Sequence, residues 1–146
     1  MKRRTKTGGV LAESAAALVV MLPVIVALTF VILEVSQSYL IKTSLAQGAR
    51  QAARDLAIAY GKDPTVATSR AMQDSQAFDK IRIYNLINDS AQFENPVFDT
   101  SVIPHTVKVR VNYLSGQYGL PVFPNPDPLQ LAGKFRVFAE SVYRLE

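Results

Sequence analysis

The chain of 146 residues contains no cysteine and only one histidine. The lack of cysteine excludes a disulfide framework, a thiol nucleophile and thiolate ligands for a metal. The single histidine, His105, follows Pro104 in a predicted loop and has no acid or second histidine four residues away. A catalytic histidine needs a nucleophile within hydrogen-bonding reach, and the sequence marks none. We therefore expect His105 to be exposed or structural.

Motifs for phosphate and metal binding are also missing. A phosphate-binding loop would place glycines between a strand and a helix. The adjacent glycines Gly8 and Gly9 instead follow a charged tail. The acids Asp89, Glu94 and Asp99 are five residues apart, which matches no calcium-binding loop. The sequence therefore predicts no metal, no cofactor and no enzymatic activity.

Basic charge is scarce outside the first residues. The formal net charge is +4, and four cations fall among residues 1–8, where there is no acid. Beyond residue 8 the basic and acidic residues are equal in number. Binding of nucleic acid needs a basic face, so we expect no nucleic-acid partner.

One long apolar run stands near the N-terminus. Residues 14–33 contain no charge, and 20 helical residues span the ~30 Å hydrocarbon layer of a bilayer. Pro23 lies inside the run, where membrane helices tolerate a proline. The cations before the run place the N-terminus in the cytoplasm and the rest of the chain outside. A cleavable secretory signal would have a shorter apolar core ending at a small-residue site, so we expect a permanent single-pass anchor in the lipid bilayer.

The helical pattern continues past the membrane run. Small and apolar residues recur at spacings of four and three, which places them on one helical face: Leu45, Ala49, Ala52, Leu56 and Ala59. Polar side chains fall on the other face: Gln47, Arg50, Gln51 and Arg54. We predict one helix from about residue 10 to 60, capped by Gly61 and ended by Pro64. The predicted regions are a leader at 1–8, a transmembrane helix at 9–41, its amphipathic continuation at 42–62 and a small α+β domain at 63–146.

The C-terminal region predicts a small antiparallel sheet packed on the helix. Strict alternation in "TVKVRVNYL" indicates a strand with Val107, Val109, Val111 and Tyr113 facing inward. "GKFRVFAESVYRL" indicates a second strand with Phe135, Val137, Ala139 and Tyr143 inward. A proline-rich excursion joins the two, and a third strand is expected to complete the sheet. A short second helix capped by Asp63 is also predicted. "KIRIYNLI" fits a strand or the end of that helix, and residues 88–105 fit a loop.

The first residues, "MKRRTKTGGVLAE", resemble a class III leader, the substrate of prepilin peptidase. In that family a basic leader ends in glycine, and a glutamate is the fifth residue of the product. The resemblance implies cleavage between Gly8 and Gly9, which makes Glu13 the fifth residue. A carboxylate near the membrane core is costly. The new α-amino group at Gly9, on this or a neighbouring subunit, would pair with Glu13 and set the axial register.

More of the helix resembles the TadE-like minor pseudopilins of the tight-adherence (Tad, or Flp) pilus. The matching residues are Glu13, Pro23, Glu34, Tyr39, Leu45, "GAR" at 48–50 with Ala49, and "AAR" at 52–54 with Ala52 and Arg54. The resemblance covers residues 1–60 well and 106–146 loosely. Ser14 stands where the family has an aromatic residue, and the interval from Glu13 to Pro23 is about one helical turn longer than usual.

The resemblance implies a pilin-like α+β fold and a structural role in assembling a type IVc pilus. The implied partners are a prepilin peptidase, other pilins or pseudopilins, and an inner-membrane assembly platform. Three alternatives stay open: the sibling TadF, a minor pilin of another type IV-like or type II secretion system, and an uncleaved, signal-anchored periplasmic binding protein.

Overall fold

The computed structural model describes residues 7–125, 127, 130 and 132–145, with side chains from Ala12 onward except that of Ala132. Most of the predicted leader, residues 1–6, lies outside this range. The chain divides into two compact units, Met1–Ser36 and Gln37–Glu146. A long helix precedes a three-stranded antiparallel sheet, so the predicted α+β class is confirmed.

Helix α1 runs from Thr7 to Lys62 without interruption and includes Pro23. The prediction of a single helix is confirmed, but the predicted cap is wrong. Gly61 lies within the helix, because the backbone N–H of Asp63 still donates to the carbonyl of Ala59 at 2.9 Å. The last turn is therefore complete when Asp63 begins the next segment.

The predicted second helix is split into two short pieces. Asp63 caps as expected, since its carboxylate accepts the N–H of Thr65 at 2.9 Å, but it caps a 3₁₀ turn, Pro64–Ala67. Helix α2 then spans Arg70–Gln76. The buried side chain of Gln73 donates from Nε2 to the carbonyl of Val66 at 2.8 Å. In a continuous helix the carbonyl of Val66 would accept a backbone N–H. At the break between the two pieces it accepts the Gln73 side chain instead, so it stays hydrogen-bonded.

The segment "KIRIYNLI" is neither strand nor helix. After a 3₁₀ turn at Phe78–Lys80, Ile83 and Ile87 exchange backbone hydrogen bonds across a tight turn. Asn85 occupies the left-handed region of this turn at φ 58°, a conformation that asparagine tolerates better than most residues. Ile87 is buried against α1 at Gly48, where a Cβ would lie 2.5 Å from Ile87 Cδ1. The glycine lets the turn approach the helix closely.

The sheet contains strands β1 (Val97–Asp99), β2 (Thr106–Leu114) and β3 (Arg136–Arg144), in that spatial order. Both pairings are antiparallel, with Phe98 opposite Val107 and Val111 opposite Ala139. The third strand is β1, and it lies inside the segment predicted to be a loop. A strand of three residues is too short for an alternating pattern to reveal it.

The core lies between the second half of α1 and the inner face of β2. The predicted inward residues of β2 and the predicted stripe of α1 are fully buried, with Ala59 half-buried at its end: Val107, Val109, Val111, Tyr113, Leu45, Ala49, Ala52 and Leu56. The polar residues of the other face of α1 are exposed, as predicted: Gln47, Arg50, Gln51 and Arg54. Both periodic patterns therefore identified the faces that meet.

The prediction of which β3 side chains face inward is only partly confirmed. Ala139 is buried and Val137 is half-buried, but Tyr143 is 38% exposed although it pairs with the buried Val107. The reason is that β3 is an edge strand, so its end is covered on one side only. Phe135 precedes the strand and packs edge-on against Tyr113, with ring centroids 6.3 Å apart.

The proline-rich excursion between β2 and β3 is tied to the sheet through side chains. The hydroxyl of Tyr113 donates to the carbonyl of Pro121 at 2.6 Å. Ser115 Oγ accepts the N–H of Phe123 at 2.8 Å and donates to its carbonyl at 3.0 Å. These bonds hold the excursion against the sheet beyond the end of the β2–β3 ladder.

Burial raises the pKa of Tyr113 to about 12. A raised phenol pKa means that the native chain holds this proton more tightly than the unfolded chain does. The stability that it contributes is therefore complete below pH ~10 and is lost as the pH rises toward ~12.

We expect the free energy of unfolding, measured by urea titration, to fall across this alkaline range in the wild-type chain. The Tyr113→Phe variant should lose less stability across the same range. Tyr84→Phe, which changes an exposed tyrosine, should follow the wild type. Parallel curves for Tyr113→Phe and the wild type would contradict the assignment to Tyr113.

Candidate functional site

The first half of α1 presents apolar side chains that the described chain does not cover. Leu18, Met21 and Ile25 are each more than half exposed. A window of 18 residues in this helix has a mean hydropathy of 2.9, and none of it is buried. The helix is long and apolar enough to cross a membrane, and its lack of burial distinguishes it from the core helix of a soluble protein.

The hydroxyl of Thr29, inside the apolar run, is satisfied within the helix itself. The hydroxyl of Thr29 donates to the carbonyl of Ile25 at 2.8 Å, four residues back. Ser36, just after the run, makes the equivalent bond to Ile32 at 2.8 Å. Hydrocarbon offers no hydrogen-bonding partner, so such internal bonds are what a lipid-facing helix requires. Pro23 removes one backbone donor, yet the helix continues through it.

The predicted processing residues stand in the first turn of α1. Gly8 and Gly9 are helical in their backbone, and Glu13 is exposed. Gly9 and Glu13 are four residues apart, so they lie on the same helical face about 6 Å apart along the axis. An α-amino group created at Gly9 would therefore stand one turn before the carboxylate of Glu13.

The α1 residues that match the TadE-like pattern were candidates for helix packing, and they are distributed over two different environments. Pro23 and Glu34 lie in the first unit, Pro23 exposed and Glu34 half-buried. In the second unit Tyr39 and Arg54 are exposed. The remaining three are fully buried inside the domain itself: Leu45, Ala49 and Ala52. These three therefore serve the fold of the second unit, which leaves Tyr39 and Arg54 accessible to a neighbouring chain.

The outer face of the sheet carries charged pairs. Lys108 Nζ lies 3.0 Å from Glu140 Oε2, and the guanidinium of Arg110 lies over the Phe138 ring at 4.0 Å from its centroid. Arg110 Nε also lies 3.5 Å from Glu94 Oε1. Exposed pairs of this kind contribute about 0–1 kcal/mol each, so the face is a solvated surface with opposite charges matched.

Catalytic and metal-binding groups do not converge in the part of the chain that the structure describes. His105 is exposed, and its carbonyl accepts the N–H of Leu145 at 2.8 Å. Hydrogen bonds from the Ser101 side chain and backbone lower the pKa of Asp99, as those from Thr65 lower that of Asp63. Both carboxylates therefore act as local turn caps. Within the described ranges no three His, Asp or Glu side chains are grouped so as to hold a metal ion.

Sequence reasoning missed Gln92, a buried amide that holds the loop before β1. Its Nε2 donates to the carbonyls of Leu86 (2.8 Å) and Asn112 (3.3 Å), and its Oε1 accepts the N–H of Asn88 at 2.7 Å. The only local signal was the capping box that Gln92 forms with Asp89.

A second missed feature is a groove of about 350 Å³ in the second unit, which we call the Tyr84 groove. Its lining residues come from α1, the Ile83–Ile87 turn and the excursion: Gln37, Leu40, Ile41, Ser44, Tyr84, Asn85, Leu86, Pro121 and Phe123. They come from three separate stretches of the sequence, so no local pattern could have revealed the groove.

Comparison with known proteins gives no relative. No family model, curated protein sequence or solved structure matches the chain. Its function must therefore be argued from its own residues and their placement.

Proposed function

We propose that this chain is a TadE-like minor pseudopilin, a structural component in the assembly of a tight-adherence pilus. It is anchored in the inner membrane of a bacterium by a single helix, with its N-terminus in the cytoplasm and its C-terminal domain in the periplasm. A prepilin peptidase removes the leader by cutting between Gly8 and Gly9. The chain is cargo of the assembly machinery and performs no catalysis.

One observation carries this proposal: a single helix serves both as an exposed apolar segment and as the core of a small domain. In α1 the side chains of residues 18–26 are exposed, whereas Leu45 and Leu56 have no exposed surface. Such a helix keeps its apolar half free to pack against lipid in the membrane or against the same half of other subunits in a filament.

The placement of Glu13 supports the assembly role. Inserting a carboxylate into the membrane costs on the order of 2.5–3.5 kcal/mol at the bilayer centre and less near its edge, where the first turns of an apolar helix lie. Pairing with the amine of Gly9, on this or a neighbouring subunit, offsets that cost. Because the pair forms only after cleavage, it would couple processing to the axial register of the subunits.

The implied partners follow from the same features. The leader is the substrate of the peptidase, the apolar half of α1 contacts lipid and other pilins or pseudopilins, and an inner-membrane platform assembles them. Tyr39 and Arg54, exposed on the second half of α1, are available to neighbouring subunits. On the outer face of the sheet the cations Lys108 and Arg110 are paired with acids.

The test is complementation of pilus assembly in cells that carry the machinery but lack this chain. We expect the wild-type chain to restore surface pili. The Glu13→Gln variant should restore at least about tenfold fewer pili, because losing ~1.4 kcal/mol from each Gly9–Glu13 pairing lowers its equilibrium constant about tenfold. Glu140→Gln is the control, because it makes the same substitution at an exposed acid of the sheet, outside the residues assigned to assembly, and it should assemble like the wild type. Pili are counted by electron microscopy, and membrane levels of each variant are compared by immunoblot.

Two results would contradict the proposal. If pili form equally well without the chain, it has no part in assembly. If Glu13→Gln assembles as well as Glu140→Gln and the wild type, the Glu13 pairing is wrong, whereas the membrane-anchored assembly role stands.

A further inference from the structure

We propose that the Tyr84 groove rests against the membrane interface, so that the domain contacts lipid directly as well as through its anchor. The contacting side chains are Leu40, Tyr84 and Val122, and the occupant is the headgroup and upper acyl-chain region of the bilayer. The inference rests on membrane insertion of residues 14–33, and it does not depend on the role in pilus assembly.

The composition of the groove is that of an interfacial surface. Leu40 is 63% exposed, Tyr84 88% and Val122 56%, and Val122 stands between the lining residues Pro121 and Phe123. The lining contains no charged side chain, and its polar members are amides, a serine and the tyrosine hydroxyl. Tyrosine with aliphatic neighbours is enriched where a protein meets the boundary between headgroups and hydrocarbon.

The exposure of Tyr84 is built into the fold. It occupies the turn between Ile83 and Ile87, whose backbone groups bond to each other at 3.1 and 2.8 Å. Asn85 supplies the left-handed conformation that the turn needs, and Ile87 anchors the turn in the core. A turn held in this way presents the tyrosine ring outward, away from the core.

The covalent chain keeps one end of the groove, at Gln37, within reach of the membrane. Gln37, the first residue of the second unit, lines the groove, and only residues 34–36 separate it from Leu33, the last residue of the uncharged run. Even a fully extended chain covers at most ~3.6 Å per residue, so the four steps from Leu33 to Gln37 span no more than about 14 Å. The headgroup layer of one leaflet together with the length of a side chain covers most of these ~14 Å, so a side chain near Gln37 can reach the membrane interface.

The opposite end of the same domain provides a matched comparison. Ile103 is 82% exposed and lies in the loop between β1 and β2. The preceding strand is located at the far end of α1, because Phe98 stacks on Tyr60 with ring centroids 5.5 Å apart. Tyr60 is 23 helical residues beyond Gln37, about 35 Å along the axis. Ile103 and Tyr84 are therefore equally exposed at opposite ends of one unit.

The chain contains no tryptophan, so a single substitution creates a selective fluorescent reporter. Three full-length variants, Tyr84→Trp, Ile103→Trp and Phe30→Trp, would be reconstituted into phosphatidylcholine–phosphatidylglycerol vesicles containing lipids brominated high on the acyl chain. Interfacial side chains lie ~5–10 Å into the headgroup–acyl boundary, so we expect the emission of Tyr84→Trp to fall roughly twofold. Ile103→Trp should be unaffected, and Phe30→Trp, inside the membrane run, should be quenched.

The outcomes separate this inference from the proposed function. If Phe30→Trp is quenched but Tyr84→Trp behaves like Ile103→Trp, the groove does not contact lipid, and the membrane anchor stands. If Phe30→Trp is not quenched, insertion itself fails, and both proposals fail with it. If Tyr84→Trp emission instead shifts with the protein-to-lipid ratio and ignores bromine, a second copy of the chain occupies the groove, and the lipid assignment is overturned.

Discussion

Replacing Gly8 by glutamate is expected to leave the chain at full length, with almost no cleaved product even when a prepilin peptidase is present. The class III leader that the first residues resemble has glycine before the cleaved bond, and glycine is the residue that permits close approach of another chain to the backbone. Glutamate adds a side chain and a negative charge at the end of a leader that is otherwise cationic. Cleaved and uncleaved chains, separated by gel mobility, should differ in ratio by at least about a hundredfold between wild type and variant, a transition-state loss of ~2.7 kcal/mol.

Gly61→Glu is the matched control for that variant. It makes the same substitution at an exposed glycine near the other end of α1, far from the leader in sequence. It should be processed like the wild type. Efficient cleavage of Gly8→Glu at the same bond would show that Gly8 is not recognised, and the assigned bond would have to be abandoned.

The second large effect is expected on folding. Phe78 has no exposed surface, stacks on Phe93 with ring centroids 4.5 Å apart, and lies under the guanidinium of Arg70 at 4.7 Å from its centroid. Truncating a buried phenylalanine costs about 3–5 kcal/mol, since both transfer free energy and packing are lost. Small domains are stable by only ~5–15 kcal/mol, so Phe78→Ala should remove a large part of the stability of the second unit.

Phe138→Ala is the matched control for Phe78→Ala. Phe138 also lies beside an arginine, with the Arg110 guanidinium 4.0 Å from its centroid, but it is 51% exposed. Its truncation should cost no more than about 1 kcal/mol. The urea midpoint of the full-length chain in detergent, measured by pulse proteolysis, should fall strongly for Phe78→Ala and slightly for Phe138→Ala. Equal shifts would mean that the Phe78–Phe93 stack is not part of the core.

The elements that sequence reasoning located are those with long, regular periodicity. The alternation of Val107, Val109 and Val111 marked β2 and its buried face, and the Leu45–Ala49–Ala52 spacing marked the buried face of α1. In both elements, buried residues recur at the period of the secondary structure, so the sequence pattern alone shows which face is buried.

The elements that it missed depend on contacts between distant segments. Strand β1 exists because Phe98 pairs with Val107 of β2 and stacks on Tyr60 of α1, which is distant in sequence. The exposure of Tyr143 follows from the edge position of β3, which sequence does not give. Gly61 is a local exception: it was predicted to cap α1, but the hydrogen bond from Asp63 to Ala59 extends the helix past it.

The candidate site divides along the same line. Gly8, Gly9 and Glu13 form a linear motif, so their spacing could be read directly, and their proposed roles await experiment. The Tyr84 groove joins residues 40, 84 and 123, so only the folded chain reveals it. The membrane-spanning helix could be predicted from the sequence, whereas the groove that we propose as a second membrane contact could be found only in the structure.

The proposed pseudopilin role is tested most directly by the N-terminal residue of the chain recovered from membranes with and without an active prepilin peptidase. Intact mass and N-terminal sequencing give that residue. We predict a chain that begins at Gly9 when the peptidase is active and at Met1 when it is inactive. A chain that still begins at Met1 in the presence of active peptidase would contradict the assignment and favour an uncleaved, signal-anchored protein.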